Sequence, residues 1–240
     1  LKISFTPAEH RLHYGKDKKQ IGDLRLPDLK GPFPVVVIIH GGCWTSKMAS
    51  LDFMSPFAEA LTKRGVATWN IEYRCFDDIG GGWPGTFNDI GDAIDYLRIL
   101  VPKYNLDLKR VVVAGHSAGG HLALWSGARH KIKRDSVLYK ANPFKAKAVV
   151  NLAGVGDLRK FMTILENVCR DKVINKLLGN EARKMDERLK QASPYEMLPL
   201  RTKQLLITGE FDEAASVDSM QQYLRKAKKL GDDIRLNVLK

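Results

Sequence analysis

The 240-residue chain contains no run of eighteen apolar residues, so no segment reads as a membrane span. Cysteine is scarce: Cys43, Cys75 and Cys169 are odd in number and far apart in sequence. They show no metal-ligand spacing, which argues against a cysteine-held metal, and a reduced, cytoplasmic protein is expected. Internal repeats, low-complexity tracts and a second core are also lacking, so residues 1–240 read as one domain. Acidic residues are outnumbered, 27 against 39 Lys and Arg, for a net charge of +12. The excess is spread widely, with one cluster between Arg129 and Lys147. Few aromatics interleave there, and no nucleic-acid motif accompanies it. A solvated loop is expected rather than a nucleic-acid or membrane surface. The first residue is Leu1, not Met, which suggests a clipped N-terminus.

What is present is an alternation of strands and helices. Arg11–Tyr14 and Gln20–Leu26 alternate apolar and polar residues around a turn, as in a hairpin. Val35–Ile39, Val66–Tyr73, Val111–Ala114, Ala146–Ala153, Lys203–Thr208 and Ile234–Leu239 read as further strands. Helical periodicity marks Phe53–Lys63, Phe87–Val101 and Val217–Leu230. Thr86 or Asn88 would cap the second of these, with Asp89 and Asp92 at the positive end of its dipole. The pattern predicts an α/β fold: a mostly parallel, twisted sheet with helices on both faces. Leu158–Gln191 interrupts the alternation with helical sequence, so about 156–192 is the expected cap.

Arg110–Ser126 carries the chemistry. A β-branched strand runs into Gly115-His116-Ser117-Ala118-Gly119 and then into a helix, the context of a nucleophile elbow. There the serine sits on a turn so tight that residues two before and two after it must be glycine. Ser117 is the expected nucleophile, and an oxyanion formed by its attack needs fixed donors. The N–H of Ala118 is one. His40-Gly41-Gly42-Cys43-Trp44 follows a strand and can supply others, assigned to Gly42 and Cys43. His40 is read as orienting that loop. Asp212, in Gly-x-x-Asp after a strand, is the expected acid, with Asp157 the runner-up. For either, the alternative is a solvated carboxylate or a helix cap. The elbow, His40–Trp44 and Gly209–Asp212 all follow strands, where parallel α/β sheets place their ligands. No histidine follows Asp212, although the order in this fold is Ser, acid, His. The base is expected beyond Lys240. His116 is expected beside the elbow, and His121, one helical turn on, in the core.

These motifs resemble the α/β-hydrolase superfamily, in its esterase branch near kynurenine formamidases and related small bacterial esterases. The residues that carry the likeness are His40–Trp44, Gly115–Ala123 and Gly209-x-x-Asp212, with Gly80–Phe87 and Ala192-Ser193-Pro194 also similar. The resemblance implies a serine hydrolase that cleaves a small carboxylic ester or aryl formamide through an acyl-enzyme, without metal or cofactor. Its partner would be a small-molecule substrate. Trp44, Trp83 and His116 are candidate pocket residues, core packing being the alternative for Trp44. The competing classes are a peptidase-like member and a binding protein that has lost its base.

Overall fold

A computed structural model describes residues 4–240, the Leu165 side chain excepted; Leu1 lies outside the described residues. The hairpin forms as β1 (His10–His13) and β2 (Ile21–Arg25). β3 (Phe33–Ile39) leads to α1 (Ser55–Thr62) and β4 (Ala67–Ile71). Next come α2 (Gly85–Asp95), α3 (Leu97–Tyr104), β5 (Leu106–His116) and α4 (Ala118–Ala128). After β6 (Ala148–Leu152), a helical insertion comprises α5 (Leu158–Cys169), α6 (Val173–Leu178), α7 (Ala182–Ala192) and the short α8 (Pro194–Met197). β7 (Lys203–Gly209), α9 (Val217–Lys229) and β8 (Ile234–Leu239) complete the described chain.

The sheet order is β1-β2-β4-β3-β5-β6-β7-β8. Among the described strands β2 alone runs against the others, antiparallel to both β1 and β4; the six strands from β4 to β8 in that order are parallel. Val35, Val37 and Ile39 of β3 join the main core with residues of α2, α3 and α4, whereas Ile38 packs with Met54 and Ala58 under α1. This period-two division covers both faces of the central strand with helices. Ile39 pairs with Gly115 and with Ile71, His116 with Leu152, and Gly209 with Leu239. The residues that leave β3, β5, β6 and β7 therefore emerge along one edge.

Three local expectations change. The helix expected over Phe87–Val101 starts at Gly85 and is divided into α2 and α3. Neither Thr86 nor Asn88 caps it: the Thr86 hydroxyl accepts from Gly82 N and donates to Arg74 O. Asp89 is fully buried and binds the Arg74 guanidinium rather than answering the helix dipole. The basic cluster is also not simply solvated. Arg129 is 5% exposed and paired with Asp95, Lys131 donates to the carbonyls of Met197 and Pro199, and Lys140 pairs with Asp92. Burial of the helix end forces the first pair, because an unpaired guanidinium there would be costly. Among the described residues no helix is long and apolar enough to cross a membrane.

Candidate active site

Ser117 joins β5 to α4 with φ 53° and ψ −117°, a left-handed backbone that costs a non-glycine residue about 1–3 kcal/mol. Two hydrogen bonds hold it: its N–H donates to Leu152 O (2.9 Å), and its carbonyl accepts from His121 N (3.1 Å). The flanking glycines are steric necessities. A Cβ on Gly115 would strike the Gly119 carbonyl, and one on Gly119 would strike the carbonyls of Ile39 and His40. Strand, elbow and neighbouring strand are thus pressed together until no side chain fits between them. The serine itself stays half-buried.

The glycine turn after β3 lies directly against this elbow. A Cβ on Gly41 would come 3.1 Å from that of Ser117. Gly42, Cys43 and Trp44 then take positive φ in succession, 100°, 52° and 55°. His40, fully buried, anchors the start of the turn by stacking on Tyr73 at 4.4 Å. Its Nδ1 lies 2.8 Å from Gly41 O and its Nε2 2.8 Å from Glu72 Oε1. The Tyr73 hydroxyl donates to His40 O. Glu72 also accepts from Tyr73 N (3.0 Å) and Leu51 N (3.2 Å). Burial alone would raise the Glu72 carboxyl; its bonds to His40 and to the Tyr73 amide outweigh that and hold it below the usual range. Downstream, Asp77 grips Thr45 Oγ1, Ser46 N and Ser46 Oγ, and Phe76 N donates to Trp44 O. His40 therefore orients the loop, as its sequence context suggests. Glu72, Tyr73 and Asp77 were not singled out, although a glutamate at the end of an apolar strand is the one signal that pointed to them.

The cysteine expectation is overturned. Cys43 and Cys169 form a disulfide across 126 residues of sequence, and only Cys75 is free, buried in the core. Their Cα atoms lie 6.1 Å apart because the turn after β3 and the end of α5 meet above the sheet edge. That bridge removes the ground for a reduced, cytoplasmic protein. Cys75 also groups with Asp77 and Asp78, but both carboxylates already hold the local chain, Asp78 through Cys75 N.

The remaining candidates fall in different places. Trp44 is 1% exposed and meets the His121 ring edge-on at 5.3 Å, so it packs in the core. His121 is itself fully buried, with Nε2 2.9 Å from Ala192 O, and burial pushes its imidazole down to about 4. Trp83 is partly buried against Phe87, with the Arg188 guanidinium 5.8 Å from its ring. His116 is half-buried, its ring tilted against Phe53 at 5.5 Å. Burial lowers its imidazole, opposed by the negative charge of Asp212. Asp212 leaves β7 and accepts from Ala215 N at 2.6 Å. Asp157 caps α5 by accepting from Lys160 N, the helix-cap alternative for that residue. Among the described residues no histidine bonds the Ser117 hydroxyl.

Comparison with known proteins finds esterases among the relatives of this chain. Esterase LipC of Mycobacterium tuberculosis is 25% identical over 230 residues, 91% of this chain and 54% of LipC. A probable isoprenylcysteine alpha-carbonyl methylesterase of Arabidopsis thaliana is 28% identical over 148 residues, 59% of this chain and 30% of that protein. The chain thus spans about half or less of these relatives. Among solved structures, a bifunctional GH43-CE protein of Bacteroides eggerthii superposes with TM-score 0.78 and 26% identity, covering 95% of this chain and 34% of that one. A truncated carbohydrate esterase from gut microbiota gives TM-score 0.80 and 21% identity, covering 99% and 89%. The fold is the α/β-hydrolase fold. With the family model matching residues 23–226, the chain belongs to the BD-FAE family.

Proposed function

We propose that this protein is a carboxylic-ester hydrolase working through an acyl-enzyme on Ser117. The observation that carries the reading is the left-handed Ser117 with Gly41 so close that a Cβ added to it would come 3.1 Å from that of the serine, which sets the glycine turn beside the half-buried nucleophile. The Ser117 hydroxyl attacks the ester carbonyl and passes its proton to the base. The N–H groups of Gly42, Cys43 and Ala118 receive the negative charge, each worth about 3–4 kcal/mol of barrier in such a site. Collapse expels the alcohol, which takes the proton back, and water repeats the sequence on the acyl group. Asp212 orients the base, which in this arrangement is a histidine. Asp157, which accepts from Lys160 N at the start of α5, is the second choice.

The helical segment 156–192 serves as a cap on a single domain, with Trp83 and His116 beside the substrate. Trp44 shapes that site only from the core. Small esters are the first substrate class, and aryl formamides the second, since both need the same nucleophile and oxyanion donors. The Cys43–Cys169 bridge supports an oxidising compartment.

The test is fluorophosphonate labelling of the full-length protein with mass-spectrometric mapping, alongside hydrolysis of 4-nitrophenyl acetate and an aryl formamide. Labelling at Ser117 and loss of turnover in Ser117→Ala are expected. A folded protein that takes no label, with Ser117→Ala equal to wild type, refutes the proposal in favour of a binding role.

A further inference from the structure

Resting on that reading, we infer that Cys169 is a positioning residue for the reaction: through its disulfide to Cys43 it holds the proposed oxyanion turn in register with Ser117. The turn is clamped on both sides of Cys43. Before it, His40 is fixed by Glu72 and Tyr73, and Gly41 by its packing on the elbow. After it, Phe76 N binds Trp44 O, Thr45 N closes on Gly42 O, and Asp77 holds Thr45 and Ser46. Cys43 stands between these clamps at φ 52°, a conformation its own backbone does not favour. Its buried side chain is bonded covalently to Cys169.

Cys169 is a firm point of attachment. It ends α5, a helix capped by Asp157 whose Leu158 and Phe161 are buried. Leu158 N also donates to Ser193 Oγ. The insertion therefore reaches the proposed site through a covalent bond to the residue whose N–H is a proposed donor. A small rotation at Cys43 would turn that N–H away from the oxyanion while leaving the substrate pocket in place. The effect belongs on kcat rather than KM. Cys75 cannot readily exchange with the bridge, because burial pushes its thiol well up and suppresses the attacking thiolate.

Cys169→Ser in the full-length protein is the test, assayed at 25 °C with 4-nitrophenyl acetate. The expected result is a fall in kcat of roughly 10–100-fold with KM within about twofold, while Cys75→Ala keeps wild-type kcat. Opening the bridge in wild type with a dithiol should do the same: the dithiol gives two electrons and two protons, leaves two thiols on the protein, and becomes a disulfide itself. This second route covers a variant that fails to fold. Peptide mapping without reduction should recover Cys43 joined to Cys169, with Cys75 as a free thiol. Amide exchange over residues 41–48 should quicken in Cys169→Ser. Recovery of Cys43 and Cys169 as free thiols, or unchanged exchange in Cys169→Ser, overturns the inference even if wild type hydrolyses no ester. Unchanged kcat in Cys169→Ser beside an active, bridged wild type overturns it while leaving the esterase reading intact.

Discussion

Glu72→Ala removes the carboxylate on which the start of the glycine turn depends. Glu72 is 4% exposed and accepts from His40 Nε2, Tyr73 N and Leu51 N. Truncation orphans all three donors in a dry site. At about 1–3 kcal/mol for each unsatisfied group, the cost lies between about 3 and 9 kcal/mol. Relaxation of the surrounding turn toward the gap points to the lower half of that range, about 3–5 kcal/mol. In a chain of this size each kcal/mol moves the midpoint by about 2–4 °C, so 3–5 kcal/mol lowers Tm by roughly 6–20 °C. Thermal unfolding followed by circular dichroism reads this directly. The pH dependence gives a second check. The Glu72 carboxyl lies below its ordinary value in the folded state, so its contribution is complete above the unfolded carboxylate range. It is lost as pH falls through the folded value, and Glu72→Gln should flatten that acid limb. A Tm for Glu72→Ala within 2 °C of wild type would falsify the account of the turn.

Other outcomes follow from the same packing. His121 is buried with its imidazole at about 4 against 6.5 unfolded, so stability should fall by roughly 3 kcal/mol between pH 6.5 and 4 and level off below. Urea unfolding across that range should show the slope in wild type and lose it in His121→Phe. Gly119→Ala drives a methyl into the carbonyls of Ile39 and His40, and should yield little soluble protein or a Tm more than 10 °C lower. Arg129→Ala removes the buried guanidinium from Asp95, which keeps Arg98 and the Phe144 amide, and should cost about 1–3 kcal/mol in urea unfolding. A loss below 1 kcal/mol would mean that water fills the gap.

Most of the fold was legible because strands and helices announce themselves locally. Val35–Ile39 and Val111–Ala114 read as buried strands and lie side by side in the sheet, Val35 against Val111. β8 occupies the expected Ile234–Leu239. Boundaries shifted where long-range contacts intervened. Thr86 and Asp89 look like helix-start residues, but Arg74 lies close enough in space to claim both. At the site, Ser117 and its glycines could be recognised because the pattern occupies five consecutive residues, although the carbonyls that exclude a Cβ from Gly119 belong to Ile39 and His40 on the neighbouring strand. The role of His40 was also legible, but its partner Glu72 was not, since 32 residues separate them and only β3–β4 pairing brings them together.

The sequence by itself determined the alternating α/β architecture, the elbow around Ser117 and the glycine turn at His40–Trp44. Each follows from period, β-branching or the absence of a Cβ within a short window. Only the tertiary structure decided that Trp44 is a core residue, that Arg129 is buried on Asp95, and that Cys43 and Cys169 are bonded. Three well-separated cysteines look alike in one dimension. Which two meet depends on where β3 ends and where α5 stops after the chain has crossed the sheet, and that distance is set by packing rather than by either cysteine's neighbours.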